Sequence, residues 1–160
     1  MDTVTAPEQT TEVVISKVKE LLEHAGIEAS LEQEEHPEVA SFYVNIITPD
    51  ARLLIGARAE NLFALEHLIK LMTGKEIKDG ERPRFFLDIN GYRLHEIEAL
   101  REEAKQVAKK VRLYRKELVL KPMSAFERRI IHMVLAEYPD ITTESIGEGE
   151  KRRVVIKPYP

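Results

Sequence analysis

The sequence predicts an α+β protein built as two small domains in series. Three observations lead there. Apolar residues alternate between helical and strand spacing in the order α-β-β-α-α-β over residues 11 to 90, and a long helix without Gly or Pro then opens a second group. A length of 160 residues suits one ordinary domain or two very small ones and excludes a large multidomain enzyme. With 43% hydrophobic and 32% charged residues and no repeat or low-complexity segment, the composition is globular rather than disordered.

Met1 to Thr10 carries no apolar period and is expected to be a flexible tail. Val14, Val18, Leu21, Leu22 and Ala25 then recur at helical spacing, with Thr10 or Thr11 as cap and Gly26 at the C-terminus. Ile27, Ala29, Leu31 and Gln33 alternate with polar residues, and beyond His36-Pro37 so do Phe42, Val44 and Ile46, which predicts two strands joined by a turn. Asp50 is expected to cap a short helix over Ala51 to Ile55. After Gly56-Ala57-Arg58-Ala59, a longer helix carries Leu62, Leu65, Leu68, Ile69 and Met72 and ends near Gly74. A polar loop, Lys75 to Pro83, leads to a third strand over Arg84 to Ile89.

The second group opens on a helix from about Arg93 to Tyr114, whose seam is Ile97, Leu100, Ala104, Val107, Ala108 and Val111. Glu117 to Leu120 reads as a short strand stopped by Pro122. Ser124 and Glu127 form a capping box that starts a helix running to about Tyr138. Thr142 to Ile146 and Arg152 to Lys157 close the chain as a hairpin around Gly147 to Lys151.

The net charge of -4 hides a division: residues 1 to 50 carry 11 acids and 2 bases, residues 51 to 160 carry 17 acids and 22 bases. For a polyanion partner the local stripe matters more than the average, because attraction decays over about a Debye length. Absence of Cys excludes disulfides, thiolate metal sites and a Cys nucleophile, and it fits a reducing cytoplasm. The N-terminus lacks a signal-peptide h-region and no apolar run approaches the roughly 18 residues of a membrane span, so a cytoplasmic protein without membrane insertion is expected.

No catalytic residue, metal site or cofactor is indicated. His24, His36, His67, His95 and His132 lack metal-ligand spacing, and neither a phosphate loop nor a nucleophile elbow occurs. Three constellations point instead to nucleic acid. The first is the turn between helices at Leu53 to Leu62, where Gly56 and Arg58 are candidate contacts; a Gly-x-x-Gly turn there would let backbone and a helix N-terminus approach sugar-phosphates, although a Gly between helices is also an ordinary bend. The second is Arg128-x-x-x-His132. On a helical wheel Arg128, Arg129 and His132 fall opposite an apolar side made by Phe126, Ile130, Ile131, Met133, Val134 and Leu135, so the pair is expected to face solvent. The third is a basic stripe of Arg101, Lys105, Lys109, Arg112 and Lys116, within a stretch from Lys105 to Lys116 that has six bases and no acid. Arg152 and Arg153 on the closing strand are candidates for the same surface.

The element order together with Ile55-Gly56-Ala57-Arg58-Ala59-Glu60-Asn61-Leu62 resembles the type II KH domain. Further along, Ile89-Asn90-Gly91-Tyr92-Arg93, Glu127 to His132 and Thr143 to Ile156 resemble the C-terminal part of the Jag family, which joins a KH domain to an R-three-H domain named for its Arg-x-x-x-His motif. The similarity runs from about Glu12 to Lys157, without the amino-terminal Jag domain of longer members. The turn departs from the family pattern, with Ala57 in place of Lys and Ala59 in place of Gly. The loss of a cation and the added Cβ predict weak binding there.

The resemblance implies a KH unit at 11 to 90, an R-three-H unit at 91 to 160 and non-catalytic binding of single-stranded nucleic acid, RNA before DNA. It also implies a post-transcriptional role tied to cell envelope growth and division. The rival expectation is an interaction adaptor whose KH half forms a homodimer or pairs with another KH protein.

Overall fold

The computed structural model describes residues 8–36, 40–76 and 84–159, and the chain divides into two compact units, Met1–Arg93 and Leu94–Pro160. In the first unit, α1 (Glu8–His24) lays Val14, Val18 and Leu22 into the core. Its end is closed by paired backbone bonds, Gly26 N–H to Glu23 O at 3.0 Å and Ile27 N–H to Leu22 O at 2.9 Å, with Gly26 at φ 66. This closure stops the helix and turns Ile27 back onto the core. Strand β1 (Ser30–His36) runs antiparallel to β2 (Ala40–Ile47), and β3 (Phe86–Ile89) lies parallel to β2, giving the sheet order β1-β2-β3.

Between β2 and β3 come α2 (Ala51–Ile55), one 3-10 turn (Ala57–Ala59) and α3 (Glu60–Thr73). One face of the sheet, Val44 and Ile46 of β2 with Leu87 and Ile89 of β3, packs with Val14 and Val18 of α1 and Leu62 and Ile69 of α3. The other face is polar in part yet buried: Tyr43 donates to Asp88 at 3.2 Å, and Asp88 is fully enclosed. Burial, then the charge of Asp88, raises the Tyr43 phenol far above its usual range, so it stays a neutral donor.

The cluster around Arg93 ties these parts together. Its guanidinium lies 3.5 Å over the Phe86 ring, bonds Glu66, and donates to Leu87 O at 2.8 Å. Glu66 also accepts the Leu87 N–H at 3.1 Å, so one carboxylate joins α3 to β3. Burial opposes the charge on Glu66, but Arg93 and Lys70 outweigh it and hold its pKa below the ordinary value.

α4 (Tyr92–Tyr114) begins at this anchor and buries Ile97, Leu100, Ala104, Ala108 and Val111, the seam expected from the sequence apart from half-buried Val107. The second unit adds β4 (Leu118–Val119), α5 (Ala125–Leu135), β5 (Ile141–Ile146) and β6 (Arg153–Pro158), with β4 and β5 both antiparallel to β6 in the order β4-β6-β5. The capping box of α5 is complete: Ser124 Oγ accepts the Glu127 N–H at 3.2 Å, and the Ser124 N–H donates to Glu127 Oε2 at 2.7 Å.

Several boundaries differ from expectation, each for a local reason. Residues 1–7 of the expected tail lie outside the described residues, as do 77–83 of the polar loop, but Glu8 to Thr10 are helical and Thr10 and Thr11 therefore cap nothing. A polar first turn carries no apolar period, so its start was invisible in the pattern. Asp50 precedes α2 without a side-chain cap bond; its carbonyl instead accepts from Leu53 and Leu54. Leu68 is exposed rather than seated in the α3 seam, because the buried row is Leu62, Ile69 and Thr73. α5 stops at Leu135, not Tyr138, and β3 starts at Phe86 rather than Arg84.

Replacing Glu66 leaves the half-buried Arg93 without its carboxylate and the Leu87 N–H without its acceptor. Glu66→Ala is expected to cost about 2 to 4 kcal/mol, the range for removing one partner of an enclosed ion pair, and urea denaturation followed by circular dichroism reads it.

Candidate nucleic-acid interface

In the second unit the Arg-x-x-x-His motif is set by the capping box, which fixes the first turn of α5. Arg128 Nη1 donates to Met123 O at 2.9 Å, bracing the segment just before the helix. Among the described residues that is the one hydrogen bond of its fork, leaving four of five donors for a planar anion. His132, one turn later, bonds Thr143 Oγ1 through Nδ1 at 2.6 Å and Ser145 Oγ through Nε2 at 2.9 Å. Thr143 and Ser145 alternate on β5 and so share the face turned to α5.

This corrects the expectation that the motif faces open solvent. Arg128 and His132 are half-buried, and His132 clamps the helix to the strand with both ring nitrogens. The wheel placed the pair opposite the apolar side correctly, yet it could not show that β5 would cover it. Arg129 is exposed, and Met133, expected on the apolar side, is exposed as well. Burial first, then the Arg128 charge, lowers the His132 pKa below 6.5, so the ring is neutral at neutral pH. It is a hydrogen-bonding strut, not a phosphate counter-charge. Arg128 supplies the motif's charge. Thr143 and Ser145 were not singled out from sequence; their only signal was the alternation along the strand.

Ion pairing divides the basic stripe. Arg101 lies 3.6 Å from Glu98, Lys105 lies 2.7 Å from Glu102, and Arg112 pairs with Asp140 while its guanidinium sits 5.8 Å from the Tyr138 ring. Lys109 and Lys116 have no ion-pair partner among the described residues, nor do Lys110 and Arg115, which the stripe had omitted. Lys116 also falls beyond α4, because Arg115 adopts φ 52 and ends the helix. Arg152 is exposed, whereas the Arg153 Nε donates to Lys151 O at 3.1 Å.

In the first unit the turn holds Gly56 at φ 71 and, against expectation for residues with a Cβ, Arg58 at φ 53 and Ala59 at φ 61. Asn61 Nδ2 donates to Leu53 O at 2.8 Å across the turn, and it lies so close that a Cβ on Gly56 would stand 2.5 Å from Asn61 Cγ. The positive φ and the closeness of Asn61 both require glycine at 56. Arg58 is exposed, but Glu60 occupies the first turn of α3 and offsets the positive end of its dipole. One cation beside one anion makes a weak phosphate site.

Comparison with known proteins falls on the same residues. Residues 98–158 match the R-three-H domain. Relatives named RNA-binding protein KhpB are 37% identical over 113 residues in Clostridium symbiosum and 40% identical over 108 residues in Bacillus subtilis, covering 71% and 66% of this chain and 50% and 51% of theirs. The second unit is thus an R-three-H domain, and the chain is similar to proteins of the Jag family. A third relative of the same name, from Lactiplantibacillus plantarum, is 30% identical over 152 residues, 95% of this chain and 45% of its own. The chain thus spans about half the length of the curated relatives it matches. Among the described residues no group of three or more His, Asp or Glu is placed to hold a metal ion, and no helix is long and apolar enough to cross a membrane.

Two outcomes follow from this geometry. Gly56→Ala forces both a positive φ and a clash with Asn61, so a loss of about 1 to 3 kcal/mol in unfolding free energy is expected from thermal or urea denaturation. His132 holds its proton less tightly when folded than when unfolded. Its share of stability is therefore complete above about pH 6.5 and is lost as the pH falls through the lower folded value. The wild-type urea midpoint should fall over that window, and His132→Gln should flatten the fall.

Proposed function

We propose that the chain binds single-stranded RNA without catalysis, through its R-three-H unit and in the cytoplasm. The observation that carries this reading is the set of cations without an ion-pair partner among the described residues, Lys109, Lys110, Arg115, Lys116, Arg129 and Arg152, in the unit that matches the R-three-H domain. That unit carries 14 bases and 11 acids, against 10 bases and 17 acids in Met1–Arg93, so a polyanion is drawn to one half and repelled by the other. The RNA-binding names of the relatives support the same ligand class. Arg128 grips a phosphate with its remaining donors, and the other cations of the same unit add salt-sensitive attraction with little sequence reading. The family resemblance adds a regulatory role in cell envelope growth and division.

A second reading concerns the first unit. Ala64, His67, Leu68 and Leu71 recur at helical spacing on the exposed side of α3, with Phe63 exposed beside them, an arrangement that favours pairing with a second KH unit. This adaptor role and RNA binding use different halves and are compatible.

Anisotropy of a labelled unstructured RNA titrated with the full chain tests the primary reading. Arg128→Ala should weaken binding about tenfold, near 1.4 kcal/mol, and make the slope of log affinity against log salt shallower by about 0.7. Arg58→Ala should leave affinity within about twofold. Binding that resists salt and ignores Arg128 would refute the assignment.

A further inference from the structure

We propose that Lys110, Tyr114, Lys116 and Leu118 form a base-stacking site for single-stranded RNA at the C-terminal end of α4, separate from the Arg128 grip. The proposal rests on the RNA-binding reading above and names a second place where the strand is held.

The site follows from how the helix ends. Lys110 and Tyr114 stand four residues apart and share one face of α4. Arg115, at φ 52, breaks the helix and reverses the chain, so that Lys116 and the first residue of β4, Leu118, return beside Tyr114. These four side chains line one open cleft of about 230 Å³. That is smaller than the roughly 300 to 1,000 Å³ of pockets that enclose a whole drug-sized ligand, and it suits a single planar ring.

Exposure and charge identify the occupant. Tyr114 is 66% exposed. An aromatic ring presented to water at a helix end is a platform on which any base can stack. Lys110 and Lys116 flank the ring without an ion-pair partner among the described residues, unlike Lys105 and Arg112 on the same helix, which are occupied by Glu102 and Asp140. Glu117 lies next in the chain but forms no ion pair with Lys116. A stackable ring between two free ammonium groups is complementary to a base between two phosphates. Leu118 supplies an apolar wall to the cleft.

The test uses the full chain, a fluorescein-labelled oligouridylate of about ten nucleotides, within the usual site sizes of single-strand binders, and anisotropy over a range of salt concentrations. Tyr114→Ala should weaken binding about tenfold without changing the salt slope, while Tyr114→Phe stays within about twofold of wild type. The double change Lys110→Ala and Lys116→Ala should weaken binding and make the slope shallower by about 1.4, two single-strand phosphates' worth. Circular dichroism checks that each variant is folded, which is expected because the side chains altered are exposed. If Tyr114→Ala binds as wild type does while Arg128→Ala loses affinity, the stacking site is refuted and the RNA-binding reading stands. If the wild-type chain binds no oligouridylate, both fall. If Tyr114→Ala leaves RNA binding unchanged and lowers the sedimentation coefficient, the patch is a protein contact and the proposal is overturned.

Discussion

In the second unit one imidazole bridges a helix and a strand, and the placement of the Arg-x-x-x-His motif depends on that bridge. A neutral His132 offers a donor on one ring nitrogen and an acceptor on the other, and the hydroxyls of Thr143 and Ser145, which can play either role, meet both nitrogens. The arrangement fixes the height of α5 over β5, and with it the position of Arg128 one turn earlier. Burial, and after it the Arg128 charge, discourages protonation of the ring, while the guanidinium itself is steadied by its bond to Met123 O. Charge and framework are thus divided between two residues that the motif's name presents as equals.

Electrostatics in this chain is a matter of pairing more than of counting. Arg101, Lys105 and Arg112 look identical to Lys109 and Lys116 on a helical wheel, yet the first three form ion pairs and, among the described residues, the last two do not, although Lys109 adds to the field that lowers the Glu102 pKa. An ion pair at a surface contributes little to stability, commonly below about 1 kcal/mol, but it does decide whether a cation is open to an incoming phosphate. Glu98 and Glu102, one turn before their partners, could have been noticed in the sequence. Asp140 could not, since it reaches Arg112 only through the tertiary fold.

Most of the architecture was legible because its signals are local. The α4 seam, the capping box of α5 and the alternation of β2 each depend on residues within a few positions of one another, and all three appear where expected. What escaped were features that need two distant segments. The Arg93 cluster draws Glu66, Phe86 and Leu87 together from α3 and β3, and no periodicity announces it. The cover of β5 over His132 is of the same kind. At the first-unit turn, side chains with a Cβ disfavour positive φ, but the backbone keeps its left-handed shape at Arg58 and Ala59 in spite of that cost, which is of order 1 kcal/mol or more per residue. Ala59 is buried in the core cluster, so surrounding contacts offset the strain.

That persistence sets two demands against each other at one position. The main chain already holds the left-handed shape at Ala59, so glycine there would adopt it without steric cost and without movement of the backbone. The same change would remove a methyl group from a buried site and leave a void in the core cluster. The residue that suits the backbone at 59 is thus not the one that fills the interior.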